Sequence, residues 1–168
     1  MINLIDRGLY GRAAPRCVRR LAESSPKRYI TPVMAYTYEI DVDRRLVIAT
    51  FSPDANLADA DQLITDLHAD PRHSLEFDRV YDCRAVTRLP PLSELRAVAD
   101  LFRRRVDPTV RARRAIVVPP SGAAYGLGRM LQALLDLAGI ELNIFTKLDE
   151  AVDWAMADAA ARGGTHVP

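Results

Sequence analysis

Hydrophobic and polar residues alternate with two different periods along this chain. At residues 36–42 they alternate one by one, which is the period of a half-buried β-strand. Residues 46–51 predict a second strand, and the tight connection at Asp43-Arg44 makes the pair a β-hairpin. At residues 57–67 the period becomes helical, and Asn56 stands where an N-cap belongs. The pattern therefore predicts a hairpin followed by a helix.

Strands and helices take turns in the rest of the chain. Residues 80–83 predict a third strand, and a second helix follows Pro90-Pro91. Residues 113–145 hold two short apolar runs around one helical segment, which indicates a β-α-β crossover with parallel strands. Thr146 and Asp149 predict a capping box for a last helix. The predicted fold class is α/β: a mixed, mostly parallel sheet of about five strands with about four helices, in the order ββαβαβαβα.

The composition is ordinary for a single domain. Of the 168 residues, 49% are hydrophobic and 27% are charged. No apolar run approaches the roughly 20 residues that a membrane span needs, so no integral membrane segment is expected. The two cysteines, Cys17 and Cys83, lie far apart, and no Cys/His spacing suggests zinc. We therefore expect a domain without metal or cofactor in a reduced, cytoplasmic setting.

Charge is distributed unevenly along the chain. Residues 1–33 carry seven Lys or Arg and two Asp or Glu, although the formal net charge of the whole chain is only +1. The remainder is mildly acidic, which argues against nucleic-acid binding. Residues 1–34 predict a disordered or weakly ordered basic extension, with a transit peptide or an arm for an acidic partner as alternatives. Residues 35–162 form the predicted domain, and residues 163–168 a flexible tail.

A first candidate site lies at the end of the third predicted strand. Ligands in open α/β sheets usually bind at the carboxyl ends of the strands, where Asp82 and Arg84 stand. If the strand continues, these two side chains share one face and can pair with each other instead of with a ligand. For Cys83, on the other face, a structural thiol is a simpler interpretation than a nucleophile.

A second candidate site opens the third helix. The backbone N–H groups of Ser121-Gly122 lie at a helix N-terminus, where an anion is favoured, and Tyr125 and Arg129 follow one and two turns along. The glycines lack the spacing of a phosphate loop, so we interpret Gly126 and Gly128 as positions of close packing on the sheet. The candidate ligand-binding set is Asp82, Arg84, Ser121, Gly122, Tyr125 and Arg129.

The densest basic cluster lies around the end of the second helix. It consists of Arg103, Arg104, Arg105, Arg111, Arg113 and Arg114. Cations at a helix C-terminus complement its dipole, and an acidic protein partner or a phospholipid headgroup is the alternative. His68 and His73 flank Pro71 and are expected to be solvated. No carboxylate dyad and no Ser/His/Asp set can be nominated.

Four segments of the chain resemble one protein family. They read AYTYEIDVDRRLVIATFSP, FDRVYDCRAVT, RRAIVVPPSGAAYGLGRM and FTKLDEAVDWA. In this order they are similar to the SpoIIAA-like, STAS-type domains, some of which are labelled STAS/Sec14-like. The resemblance covers roughly residues 35–160, and its most specific parts are Tyr125-Gly126 with Arg129 and residues 149–151 with Trp154. It implies a STAS-like sheet with helices packed on it.

The resemblance also implies a kind of regulation that this chain departs from. Relatives that act as anti-sigma factor antagonists bind a partner kinase and carry a phosphorylatable serine after the third strand, within an Asp-Ser-Ser-Gly-like motif. This chain reads DCRAVT at residues 82–87 and lacks that motif. Thr87 and Ser93 are the only nearby substitutes as phosphoacceptors.

These observations favour a non-enzymatic STAS-like regulatory module that binds a protein partner or a small anionic or lipidic ligand. A homodimer is one form that such a partner could take. One alternative is an enzyme at the C-terminal sheet edge, and another is a peripheral membrane or lipid-binding protein that uses the basic cluster. The feature that separates these hypotheses is a cleft between the loop at residues 83–87 and the loop at Ser121.

Overall fold

A five-stranded sheet forms the centre of the computed structural model, which describes residues 35–157. The strands follow one another across the sheet in chain order, with β1 antiparallel to β2 and every later pair parallel. They are β1 (Tyr36–Asp41), β2 (Leu46–Phe51), β3 (Asp78–Asp82), β4 (Arg114–Val117) and β5 (Leu142–Phe145). The predicted hairpin, the parallel crossovers and the α/β class are confirmed.

Four helices complete the order ββαβαβαβα predicted from the sequence. They are α1 (Leu57–Ala69), α2 (Leu92–Arg105), α3 (Gly122–Asp136) and α4 (Leu148–Met156). The first three pack on one face of the sheet, where Val47, Tyr81 and Ile116 meet residues such as Leu63 and Leu131. We call this the three-helix face.

Among the helices of residues 35–157, only α4 covers the opposite face. Its Ala151 and Ala155 pack on Leu46, Val80 and Val117. Successive strand residues point to opposite faces of the sheet, and the central strands place apolar, buried residues on both. Helices on both sides therefore bury nearly continuous hydrophobic runs.

Local sequence signals explain where the helices begin and end. Asn56 caps α1 and forms a capping box with Asp59. Helix α2 begins directly after Pro91, and α3 gives way to a turn in which Gly139 adopts φ 71°. A positive φ at that position is easily adopted by glycine, which has no Cβ.

Three local predictions are wrong. The last helix has Lys147, not Thr146, at its N-cap, and no side chain caps it. The hairpin connection spans residues 42–45 instead of two residues, with Arg45 at φ 53°. Close packing on the sheet was expected at both Gly126 and Gly128. A Cβ on Gly128 would meet Ile144, as expected, but Gly126 is exposed, and a Cβ there would meet nothing within 4 Å.

The predicted extension at residues 1–34 and the tail at residues 163–168 lie outside the described residues. Within residues 35–157 no helix combines the length and the apolar content needed to cross a membrane. Across the same residues no group of His, Cys, Asp or Glu could hold a metal ion.

Candidate functional site

A cavity of about 210 Å³ opens on the three-helix face, near the carboxyl ends of the parallel strands. Residues from all three helices line it, together with Phe51, Tyr81 and Ile116 from the sheet. Cys83 and Val86 border it on one side, and Val118 and Pro119 on the other. A cleft therefore lies between the two loops after β3 and β4, at the sheet edge that the sequence indicated.

The wall of this cavity is almost entirely apolar. Leu63, Leu95 and Leu131 reach it from the three helices, one from each. Small residues stand beside them, namely Ala55, Ala60, Ala124 and Gly128. A large side chain at any of these positions would fill part of the space, so the small residues are the local reason that a cavity exists.

Cys83 is the cysteine of the described part of the chain, and it borders the cavity. The residue keeps some solvent exposure, but its surroundings in the cavity wall are apolar. Burial, followed by the negative charge of Asp82, raises the pKa of Cys83 to about 12. Because a thiolate is the nucleophilic form, this environment agrees with the structural thiol expected from the sequence.

The polar groups of the site are gathered at its mouth. Arg88 donates to both carboxylate oxygens of Glu94, at 3.0 and 2.7 Å, and both side chains line the cavity while remaining exposed. The hydrogen bond from Arg88 lowers the pKa of Glu94 and keeps it ionised. Asn56 also borders the cavity, but its side chain already caps α1. The arrangement is an apolar pocket with an ion pair at its rim.

Asp82 and Arg84 form an ion pair of their own. The guanidinium donates to both Asp82 oxygens at 2.9 and 2.8 Å, and the Arg84 backbone N–H donates to the same carboxylate. This bonding lowers the pKa of Asp82. Arg84 borders a shallow depression against α4, together with Arg44 and Lys147. The pair therefore lies on the α4 side of the sheet, away from the apolar cavity.

The second predicted set lies along α3, on the three-helix face. Ser121 is the N-cap, and its Oγ accepts from the backbone N–H of Ala124 at 3.2 Å. Gly122 and Tyr125 are exposed, and Arg129 donates to Gln132 on its own helix. None of these residues borders the apolar cavity. The structure thus does not bring the six candidate residues into one cleft.

The two candidate phosphoacceptors have different surroundings. The Thr87 hydroxyl and backbone N–H both donate to the carbonyl oxygen of Pro53, at 3.0 and 3.1 Å, which ties the loops after β2 and β3 together. Ser93 lies exposed in the first turn of α2. Their role as phosphoacceptors stays a prediction.

The basic cluster separates into individual structural contacts. Arg103 pairs with Asp100 and also donates to the Leu134 carbonyl, while Arg105 pairs with Asp61 on α1. Arg113 pairs with Glu141 and stacks its guanidinium 4.9 Å from the ring centre of Trp154. These contacts hold helices and strands together, while Arg104 and Arg111 lie exposed.

Of the two histidines at the other end of the sheet, His68 is exposed as expected and His73 differs from expectation. His73 is half-buried, not solvated, and its Nε2 lies 3.1 Å from a guanidinium nitrogen of Arg79. Arg79 and Arg114 are themselves buried at the starts of β3 and β4. His68 stacks on His73 with ring centres 5.8 Å apart.

The residues that form the apolar cavity are not among the candidate site residues predicted from the sequence. Arg88 and Glu94 are absent from the predicted set, although they stand six residues apart around the Pro90-Pro91 helix start. The available signal was a set of small residues on α1 and α3 and just before α1, namely Ala55, Ala60, Ala124 and Gly128. Which of them oppose one another depends on how the helices pack.

Comparisons with protein-family models, curated proteins and solved structures give no match for this chain. The fold defines an α/β protein with a mixed five-stranded sheet and four helices, and the site defines an apolar cavity with an ionic rim. The resemblance to STAS-type domains stays a prediction.

Proposed function

We propose that this chain is a non-enzymatic, STAS-like ligand-binding module whose apolar cavity holds a small amphipathic molecule. The observation that carries the proposal is the 210 Å³ cavity beneath the Arg88–Glu94 pair. An apolar cavity of roughly 150 Å³ suffices to bind benzene. The present one has room for a single ring or a medium-length alkyl chain.

Arg88 supplies a reason to expect an acidic head group on that ligand. A guanidinium binds a carboxylate or phosphate through two parallel hydrogen bonds, as Arg88 now binds Glu94. Exposed ion pairs contribute little to stability. A ligand carboxylate can therefore replace Glu94 at Arg88 while its apolar part occupies the cavity.

The absence of a converging polar set supports binding over catalysis. Asp82 and Arg84 satisfy each other, Ser121 caps a helix, and the Cys83 thiol stays protonated. A ligand in the cavity would contact mostly apolar side chains. The charged groups beside it are the Arg88–Glu94 pair at the rim, which bind each other, and the Cys83 thiol in the wall is protonated. Such a site is suited to orient and retain a molecule.

Calorimetric titration with octanoate and with 1-octanol tests this proposal. We expect both to bind the wild-type protein and octanoate to bind more tightly, because only octanoate can pair with Arg88. Arg88→Gln should weaken octanoate binding about tenfold, as the loss of one charge-assisted contact implies, and leave 1-octanol unchanged. Native mass spectrometry of the purified protein would show whether it retains a ligand of this class.

A matched pair of helix variants locates the binding. Ala60 borders the cavity, whereas Ala58 is exposed on the same helix. Ala60→Phe should abolish binding of both compounds, and Ala58→Phe should leave it intact. Equal binding in both variants, or no binding by the wild-type protein, would contradict the proposal.

A further inference from the structure

Two buried arginines lie side by side at the end of the sheet opposite the apolar cavity. Arg79 and Arg114 are direct neighbours in the register of the parallel strands β3 and β4. Their exposed fractions are only 6% and 3%. Like charges on adjacent strands repel each other, and buried charges are costly unless they are compensated.

The described residues provide no carboxylate ion pair for either arginine. Arg79 contacts His73 and the Leu75 carbonyl, and Arg114 donates to the Ala112 carbonyl at 2.7 Å. The Nε of Arg114 is buried without any hydrogen-bond partner among these residues. A buried donor of this kind calls for a bound group that residues 35–157 do not supply.

A small cavity of about 20 Å³ lies at these guanidinium groups. Its polar lining is mostly cationic or imidazole, and it consists of His68, His73, Arg79, Tyr81, Arg105, Asp107 and Arg114. The one carboxylate there, Asp107, accepts from the backbone N–H and the hydroxyl of Thr109 at 2.8 and 2.7 Å. It therefore pairs with neither buried arginine.

The size of this space limits what can occupy it. One water molecule needs a cavity of roughly 10–15 Å³. The cavity of about 20 Å³ therefore holds one water molecule or one ion of similar size, but not a phosphate or a lipid headgroup. A water molecule would satisfy the Arg114 Nε but would bring no negative charge to the two guanidinium groups, and the carboxylates of Asp78 and Glu141 act on Arg114 only through space. The geometry points to a binding site for one small monovalent anion of halide size, held between Arg79 and Arg114.

This site is independent of the proposed ligand cavity. Tyr81 and Ile64 border both cavities, but the apolar cavity opens at the carboxyl ends of the strands and the cationic one at their amino ends. The anion would contribute to the stability of the fold, because it binds the native arrangement of two strands and not the unfolded chain.

Melting temperatures measured in sodium chloride and sodium gluconate at equal ionic strength test the site in solution. Gluconate is too large to enter, so only chloride should stabilise, in a saturable way. For a dissociation constant near 5 mM, 100 mM chloride would raise the melting temperature by about 5 °C. Arg114→Met should remove this chloride response, and Arg104→Met, at an exposed position on α2, should retain it.

Crystals grown in sodium bromide provide a readout that needs no variant. We expect an anomalous peak in contact with the Nε of Arg114. If Arg114→Met fails to fold, Arg79→Met and the bromide crystals still decide the question. A water molecule in place of bromide, equal melting temperatures in the two salts, or an equal loss of response in Arg104→Met would overturn the inference.

Discussion

His73 is an imidazole that its surroundings keep neutral. Partial burial, followed by the positive charges of Arg79 and His68, lowers its pKa from 6.5 to about 4. Arg79 lies 3.1 Å from Nε2, an arrangement in which that nitrogen accepts and the proton stays on Nδ1. An imidazolium would instead face a guanidinium directly.

The lowered pKa predicts how stability depends on pH. Between pH 6.5 and about 4 the unfolded chain binds a proton at His73 that the folded protein does not. Stability is therefore lost as the pH falls through this window, by on the order of 1 kcal/mol after allowance for solvent screening. His73→Gln, which still accepts from Arg79, should show a shallower decline.

NMR titration of the imidazole C–H signals in a chloride-free buffer measures the same pKa directly. The signal that disappears in His73→Gln should titrate near pH 4. A midpoint near 6.5 would show that the ring is solvated, as the sequence alone suggested. With chloride present, an anion beside Arg79 should raise the midpoint, because it offsets the charge that disfavours protonation.

Two glycines on α3, two residues apart, illustrate how an element is fitted to its sheet. A Cβ at position 128 would lie 2.9 Å from Cγ2 of Ile144, a buried and β-branched side chain with little freedom to move. A Cβ at position 126 would meet nothing within 4 Å. The same chemical change therefore has opposite consequences at the two positions.

We expect Gly126→Ala to stabilise the protein by about 0.5–1 kcal/mol, because glycine in a helix interior costs that much relative to alanine. Gly128→Ala should destabilise it by about 1 kcal/mol or more, because overpacking against Ile144 exceeds the helix-propensity gain. Urea denaturation of both variants measures the difference. Equal stabilisation in both would mean that α3 can move away from β5.

The elements themselves were predictable because their signals are local. The alternation, the cap at Asn56 and the stop at Gly139 each depend on a few neighbouring residues. The cap and the stop are observed, and β1 covers residues 36–41 of the predicted strand, whereas Val42 lies exposed in the turn. The parallel crossovers follow from the helices between the strands. The capping box at Thr146 and Asp149 failed because α4 takes Lys147 as its N-cap, one residue later than expected.

The sites were less predictable because they depend on which residues meet across the fold. The sequence pointed to the sheet edge at which the apolar cavity opens, but Asp82-Arg84 and Ser121 occupy opposite sides of the sheet there. The pairing of Arg79 with Arg114 depends on the register of β3 and β4. The apolar cavity depends on how small residues of α1 and α3, such as Ala60 and Gly128, are placed against the sheet when the helices pack.

At the scale of the whole molecule, the three-helix face has a packed centre between two incompletely filled ends. The apolar cavity opens at the carboxyl ends of the strands, and the cationic one at their amino ends. Tyr81 packs edge-on against Phe102 between them, with ring centres 5.9 Å apart. Unfilled apolar space lowers stability, since the side chains that line it lack packing partners.

Filling the apolar cavity should therefore separate stability from binding. The ring added by Ala60→Phe is the size of benzene, which a cavity of roughly 150 Å³ accepts, and the space available is about 210 Å³. We expect this variant to raise the free energy of unfolding by about 1–2 kcal/mol, as cavity-filling substitutions commonly do, while octanoate binding disappears. Ala58→Phe, exposed on the same helix, should change stability by less than about 0.5 kcal/mol. Thermal and urea denaturation beside the calorimetric titration test both effects. If Ala60→Phe loses both binding and stability, the added ring disrupts α1. If it loses binding but gains stability, the protein keeps this space open for a ligand at the expense of its own packing.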